Sequence, residues 1–212
     1  MFVGQRMSHP VITAYPEMTM LEALELMHQE QIRRLPVVDK HGKLTGIIAE
    51  RTLLKAMPSE ATTLSVWEIR DKMTDMTIEK FMTHDVTTVI ETTPLEEAAR
   101  IMIDQDITGL PVVDGEKLVG FITQRDIFRV FMETLGAREP GVRVTALVSK
   151  DPGTIYHLAQ AIYDLGGDIR SFSTFLGENS ENGEAIIKVA GVKKEDLLKA
   201  IMPFVEKLVD IR

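Results

Sequence analysis

The chain has 212 residues, a formal net charge of −8, 44% hydrophobic residues and no cysteine. That size suits one or two ordinary domains with a real core, and the acidic balance argues against nucleic acid, whose phosphates need clustered Lys and Arg. The missing cysteines exclude disulfides, thiolate nucleophiles and Cys-bound metals, and fit a reducing, cytoplasmic setting. The N-terminal MFVGQRMSHPV lacks the apolar core of a signal peptide, and no run reaches the roughly 18 apolar residues of a membrane span.

Taken in order, the first elements predict a strand around MSHPVITA (7–14), then a helix opened by Thr19-Met-Leu-Glu22. That quartet reads as a capping box, in which the Thr accepts an early helix N–H and the Glu reaches back. Met20, Ala23, Leu24 and Met27 give the helix one apolar face. A buried strand, Leu35–Val38, a polar turn, Asp39–Gly42, and a second strand, Leu44–Ala49, form a hairpin, and another helix starts near Thr52. Pro58–Lys80 is a polar linker with a short helix expected at Val66–Met73 around Trp67, the sole tryptophan.

The same pattern then returns. MTHDVTTV (82–89) repeats the opening strand, Thr93-Pro-Leu-Glu96 a second capping box, and Leu110–Val113, Asp114-Gly115 and Leu118–Thr123 a second hairpin, with a helix from near Asp126. Over 7–39 against 82–114, 13 of 33 positions are identical. Each unit is β-α-β-β-α. About 55 residues are marginal for an independent core, so the two halves are expected to pack together about a pseudo-twofold axis.

Gly136–Gly141 marks a boundary. Beyond it come a strand from Val142, a Ser149–Thr154 turn, a helix whose apolar face is Ile155, Leu158, Ala159, Ile162 and Leu165, a Gly166-Gly167 stop, two more strands, a helix at Lys194–Met202 and a short last strand. The order is β-α-β-β-α-β, an open sheet with helices on one face.

Thr123-Gln-Arg-Asp126 has two readings. It starts a helix as a cap. It also groups a carboxylate suited to the paired hydroxyls of a ribose with a Thr hydroxyl and the Arg125 guanidinium, at a helix N-terminus that favours anions. His9, His28, His41, His84 and His157 show no zinc spacing, and no Gly-x-Ser-x-Gly, Walker or Gly-x-Gly-x-x-Gly element is present. The expectation is a non-enzymatic protein without metal or catalytic cofactor.

The two LPVVD strands, the Lys-Leu-x-Gly turns and Thr-Gln-Arg-Asp resemble a tandem pair of CBS domains, a Bateman module, over roughly residues 1–135. The resemblance implies an adenine nucleotide (ATP, ADP or AMP) or S-adenosylmethionine as a regulatory ligand in the cleft between repeats. Carried over residue by residue, Thr123, Gln124, Arg125 and Asp126 would face Thr13 and the Ile32, Arg33, Arg34, Leu35, Pro36 stretch. There the Ile32 and Arg33 backbone would read the adenine edge, with Ile32 and Pro36 sandwiching its ring. The symmetric site would comprise Ala49, Glu50, Arg51 and Thr52 against Thr88, Ile107 and Thr108. With no Thr at 49 and no Asp at 52 it is expected to be degenerate. The last third resembles an ACT domain of ferredoxin-like fold, implying Asp151, Gly153, Gly167, Asp168 and Ile169 as candidates for a second small effector. The whole order resembles AcuB-type acetoin-utilisation regulatory proteins. It implies domains at 1–57, 81–135 and 142–212 with linkers at 58–80 and 136–141, an allosteric sensor, a homodimer, and an enzyme partner as an open alternative.

Overall fold

The structure is a computed structural model, describing residues 1–56 and 76–212. The helix expected at Val66–Met73, with Trp67, lies outside the described residues. The chain divides into two compact units, Met1–Ile127 and Phe128–Arg212.

In the first unit α1 (Met20–Gln29) is followed by β1 (Arg34–Val38), β2 (Leu44–Ala49) and α2 (Glu50–Ala56). The repeat follows with α3 (Leu95–Asp104), β3 (Gly109–Asp114), β4 (Lys117–Thr123) and α4 (Gln124–Thr134), whose C-terminal half belongs to the second unit. Each hairpin is antiparallel, with a matching register shift at Val37/Val38 and Val112/Val113. The repeated sequence thus repeats even its bulge.

The opening strand expected in each repeat is present only as isolated bridges. Ser8 pairs with Phe121 and Ala14 with Val37, while Thr83 pairs with Ile47 and Val89 with Val112. The physical reason is that each segment crosses from one hairpin to the other and runs beside neither for long. The helical turns ahead of the segments are exchanged accordingly. Val3 is fully buried in the core of the second repeat, with Ala98, Met102, Leu110 and Ile122. Ile78 is fully buried in the core of the first, with Met20, Met27, Leu35 and Ile48. Full burial of such a side chain contributes about 1.5–3 kcal/mol, here to the other repeat. The strand glycines permit this close approach: a Cβ on Gly46 would stand 2.8 Å from Met82 Sδ.

The two helix starts also differ. Thr19 and Glu22 close the expected box: the Thr19 N–H and hydroxyl each donate to Glu22 Oε2 at 2.8 Å, and Thr19 Oγ1 accepts the Glu22 N–H at 3.2 Å. The second box does not form. Pro94, not Thr93, is the N-cap, and the Thr93 hydroxyl accepts from the Ile90 N–H at 3.1 Å. In the register of the duplication Pro94 stands where Thr19 does, so the Thr lies one residue too early.

The second unit runs β5 (Val142–Ser149), α5 (Thr154–Asp164), β6 (Asp168–Leu176), β7 (Asn182–Ala190), α6 (Lys194–Ile201) and β8 (Lys207–Ile211). The element order is the expected β-α-β-β-α-β, in an antiparallel sheet ordered β6-β7-β5-β8. Val144, Ala146, Val148, Ala185, Ile187 and Val189 pack against Leu158, Ile162, Leu197 and Ile201 of the helices. No helix among the described residues is long and apolar enough to cross a membrane.

Candidate functional site

Thr123 ends β4, paired with Gly109, and α4 begins at the next residue. The Thr123 N–H donates to Asp126 Oδ2 at 2.9 Å and its hydroxyl to the same oxygen at 2.5 Å, while the Asp126 N–H donates to Thr123 Oγ1 at 3.3 Å. The quartet is therefore a cap. Both bonds to the carboxylate share Oδ2, so among the described residues Oδ1 keeps its full capacity to accept. Capping and ligand binding use different oxygens and are compatible.

The crossing segment positions the other residues grouped with this site by sequence. From Ser8, paired with Phe121, the chain passes to β1, where the Ala14 N–H donates to the Pro36 carbonyl at 3.0 Å and the Val38 N–H to the Ala14 carbonyl at 2.9 Å. This sets Thr13 beside Pro36. The Ile32 N–H is used by the Met27 carbonyl at 2.9 Å, and the Arg33 carbonyl by the Glu50 N–H at 3.0 Å. Among the described residues, the Ile32 carbonyl and the Arg33 N–H remain open. Leu35 is fully buried and its side chain belongs to the core. Arg125 and Arg33 are exposed.

Arg34 goes elsewhere. Grouped by sequence with the first site, it donates from Nη1 to the hydroxyl of Thr108, a residue grouped with the second. Its half-burial lowers the guanidinium pKa through desolvation, yet Arg keeps its charge at neutral pH.

The second cleft is blocked at an equivalent point. The Gln124 N–H donates to the Thr108 carbonyl at 3.1 Å, as Glu50 does to Arg33, but the Gln124 amide also donates from Nε2 to the Ile107 carbonyl at 3.2 Å. Ile107 is the counterpart of Ile32. A glutamate is acceptor-only and cannot do this, so Glu50 leaves the Ile32 carbonyl open. The Ala49–Thr52 stretch offers neither the Thr hydroxyl nor the carboxylate found at Thr123 and Asp126.

Sequence reasoning missed Phe121 and Gly109. Phe121 stands two residues before Thr123, on the same strand face. A Cβ on Gly109 would stand 2.7 Å from the Phe121 ring. The first repeat has Ile47 and Arg34 at these places, and that paired difference was the available signal.

The residues considered for an effector in the second unit are not brought together within one chain. Asp151 and Gly153 follow the C-terminal end of β5. Gly167, Asp168 and Ile169 sit at the start of β6, which is level with the N-terminal end of β5 across β7, since Ile169 and Val142 both pair with Val189. The two groups are about 23 Å apart along the sheet at about 3.3 Å per residue. Asp168 forms an ion pair with Arg170 at 2.9 Å.

Known proteins give the same picture of the first unit. The CBS domain family profile matches residues 3–59 and 78–133. L-aspartate semialdehyde sulfurtransferase of Methanocaldococcus jannaschii is 36% identical over 126 residues, 59% of this chain but 22% of that enzyme. The chain thus spans about a fifth of that relative's length. The CBS domain pair of protein MJ0100, solved with 5′-methylthioadenosine and S-adenosyl-L-methionine, is 34% identical with a TM-score of 0.52, covering 66% of this chain and 98% of that one. A putative acetoin utilization protein (AcuB) from Vibrio cholerae has 31% identity and a TM-score of 0.55, covering 66% and 96%. CBSX2 in complex with AMP has 28% identity and a TM-score of 0.53, covering 62% and 96%.

Proposed function

Because the chain belongs to the CBS-domain family, we propose that it is a regulatory protein that binds an adenosine ligand in the cleft between its repeats. The observation that carries this reading is the asymmetry at equivalent positions: Asp126 keeps a free carboxylate oxygen beside Thr123 and the Ile32 carbonyl is open, whereas the second cleft has neither. A carboxylate accepts from both ribose hydroxyls, and a Phe121 ring on the same strand face offers a stacking surface for the base. The ligand is an adenine nucleotide or S-adenosylmethionine, and it regulates by preferring one arrangement of the two repeats.

The second unit is read as an ACT domain of ferredoxin-like fold. Its element order and strand order support this. A site that used both Asp151, Gly153 and Gly167, Asp168, Ile169 would take loops from two chains, which favours a homodimer and a second effector bound between copies. The protein is cytoplasmic on this reading, acting as a sensor without catalysis, in acetoin utilisation or a comparable pathway. The sulfurtransferase, of which the matched segment is about a fifth, favours a second arrangement, in which the chain regulates a separate enzyme.

Calorimetry with ATP, ADP, AMP, 5′-methylthioadenosine and S-adenosylmethionine tests the reading. At least one is expected to bind at about one per chain, and Asp126→Asn, which keeps an oxygen for the cap, is expected to weaken it by about a hundredfold or more through loss of a charge-assisted pair of bonds. Absence of binding by all five, or full binding by the variant, refutes it.

A further inference from the structure

The sheet of the second unit has two faces. One packs against α5 and α6 through Val144, Ala146, Ile187 and Val189. Alternate residues occupy the other face, where the registers set Ser171, Lys188 and Arg143 side by side on β6, β7 and β5. Arg212 stands beyond Arg143 and exchanges both backbone bonds with it. One step along, Ser173, Ile186, Thr145 and Asp210 form the next row.

Two features of this face call for a partner. The first is charge. Lys188 stands directly opposite Arg143, and like charges so placed are destabilising. Asp210 meets Arg212 at 2.7 Å but Arg143 only at 3.8 Å, and Arg143 donates from Nη1 to Thr145 Oγ1 at 2.7 Å. Glu184 shares the face but lies about 13 Å from Lys188 along β7. Lys188 is half-buried and has no ion pair or hydrogen bond among the described residues. The second feature is unmet hydrogen bonding. Ser171 is 8% exposed, and its hydroxyl and that of Ser173 are buried without a partner among the described residues. A buried polar group left unpaired costs free energy. Lys188 beside Ser171 only donates, and Ile186 beside Ser173 is apolar, so neither side chain accepts from a serine.

The chain leaving α4 passes over the same spot. Gly136 has φ +60°, and a Cβ there would stand 2.9 Å from Ser171 Oγ and 3.5 Å from Lys188 Cδ. The hydroxyl and the lysine stem thus lie beneath a position that carries no side chain.

We infer that this face holds a small oxyanion, the phosphate or carboxylate of a small acid, between Lys188 and Arg143. It accepts from the ammonium and from both serines. These stand about 7 Å apart along β6, a gap that one oxyanion bridges with bonds of about 2.7 Å. The Arg143 side chain is 33% exposed, so the row is open to solvent on that side. The site shares no residue with the effector candidates Asp151, Gly153, Gly167, Asp168 and Ile169, and it stands apart from the adenosine reading.

Calorimetry on the full chain, with inorganic phosphate and separately with citrate, tests it. At least one is expected to bind saturably at about one per chain. Lys188→Met and Ser171→Ala are each expected to weaken that binding about tenfold or more, while Asp126→Asn and Lys199→Met, at an exposed lysine of α6, leave it unchanged. Phosphate binding alone assigns the site to a phosphate, citrate binding alone to a carboxylate. Ser171→Ala has a second readout: it removes a hydroxyl without a partner, so in anion-free buffer it is expected to raise the melting temperature. A lowered melting temperature, binding of neither anion, or binding untouched by both Lys188→Met and Ser171→Ala overturns the site. If neither anion binds and Lys188→Met destabilises, Lys188 serves the α4 C-terminus, whose last turn has no basic residue.

Discussion

The two clefts differ at five positions that set their polar groups: Thr123 against Ala49, Gln124 against Glu50, Asp126 against Thr52, Gly109 against Arg34, and Thr108 against Arg33. The backbone framework is nearly the same in each. Ile32 and Ile107 donate to the equivalent Met27 and Met102 carbonyls, and Arg33 and Thr108 accept from the equivalent Glu50 and Gln124 N–H groups. Side chains therefore decide which cleft offers a carboxylate acceptor and an open carbonyl among the described residues. A single exchange of Gln for Glu acts at a distance from its own cleft, because Gln124 caps a strand of one site while its amide closes the carbonyl of the other. Duplication here supplies two frames, and their side chains differ.

The comparison breaks if these side chains are not its cause. The largest effect is expected from moving three of them: Ala49→Thr with Thr52→Asp places the carboxylate in the second cleft, and adding Gln124→Glu frees the Ile107 carbonyl. Ligand stoichiometry is expected to rise from about one to about two per chain only in the triple variant. The double variant alone is expected to gain about 0.5–2 kcal/mol from the new cap, read by denaturant unfolding. A smaller change comes from Gly109→Ala, whose Cβ would press on Phe121 and cost about 1–3 kcal/mol of stability. Combining it with Phe121→Ile, the first repeat's residue, is expected to recover most of the stability but not the ligand affinity. If affinity returns as well, the ring is not part of the site.

The smallest effect separates the two helix starts. The backbone N–H and then the hydroxyl of Thr19 hold the Glu22 carboxyl below its ordinary pKa. A carboxyl with a depressed folded-state pKa stabilises above its unfolded value, near 4.5, and loses that contribution as pH falls through the folded value. Stability is therefore expected to drop below about pH 4.5 by an amount that Glu22→Gln abolishes. No matching loss is expected from Glu96→Gln in the second repeat, where the box does not form.

The sequence made the hairpins and both central helices legible because Leu-Pro-Val-Val-Asp and the apolar spacing before it recur in register. It made the cap at Thr123 and Asp126 legible, since local spacing fixes it. What it concealed depends on long reach or on exchange. Arg34 sits next to Leu35 in sequence, but its flexible side chain finds Thr108 in the other repeat. The Gln124 amide could have been read as solvent-facing, and only the folded chain shows it closing Ile107. The effector candidates of the second unit were grouped by family likeness, whereas the strand order of its sheet separates them by the length of β5.

The crossing of the opening segments has a bearing on where this protein can be cut. Val3 fills the second core and Ile78 the first, so a piece ending at a repeat boundary would carry one plug without its socket and one socket without its plug. Excision of residues 1–56 as an independent module would leave an unfilled hole at the position of Ile78. Loss of only the first few residues would injure the half of the pair that begins more than 70 residues later. The duplicated halves are joined by what each has placed inside the other.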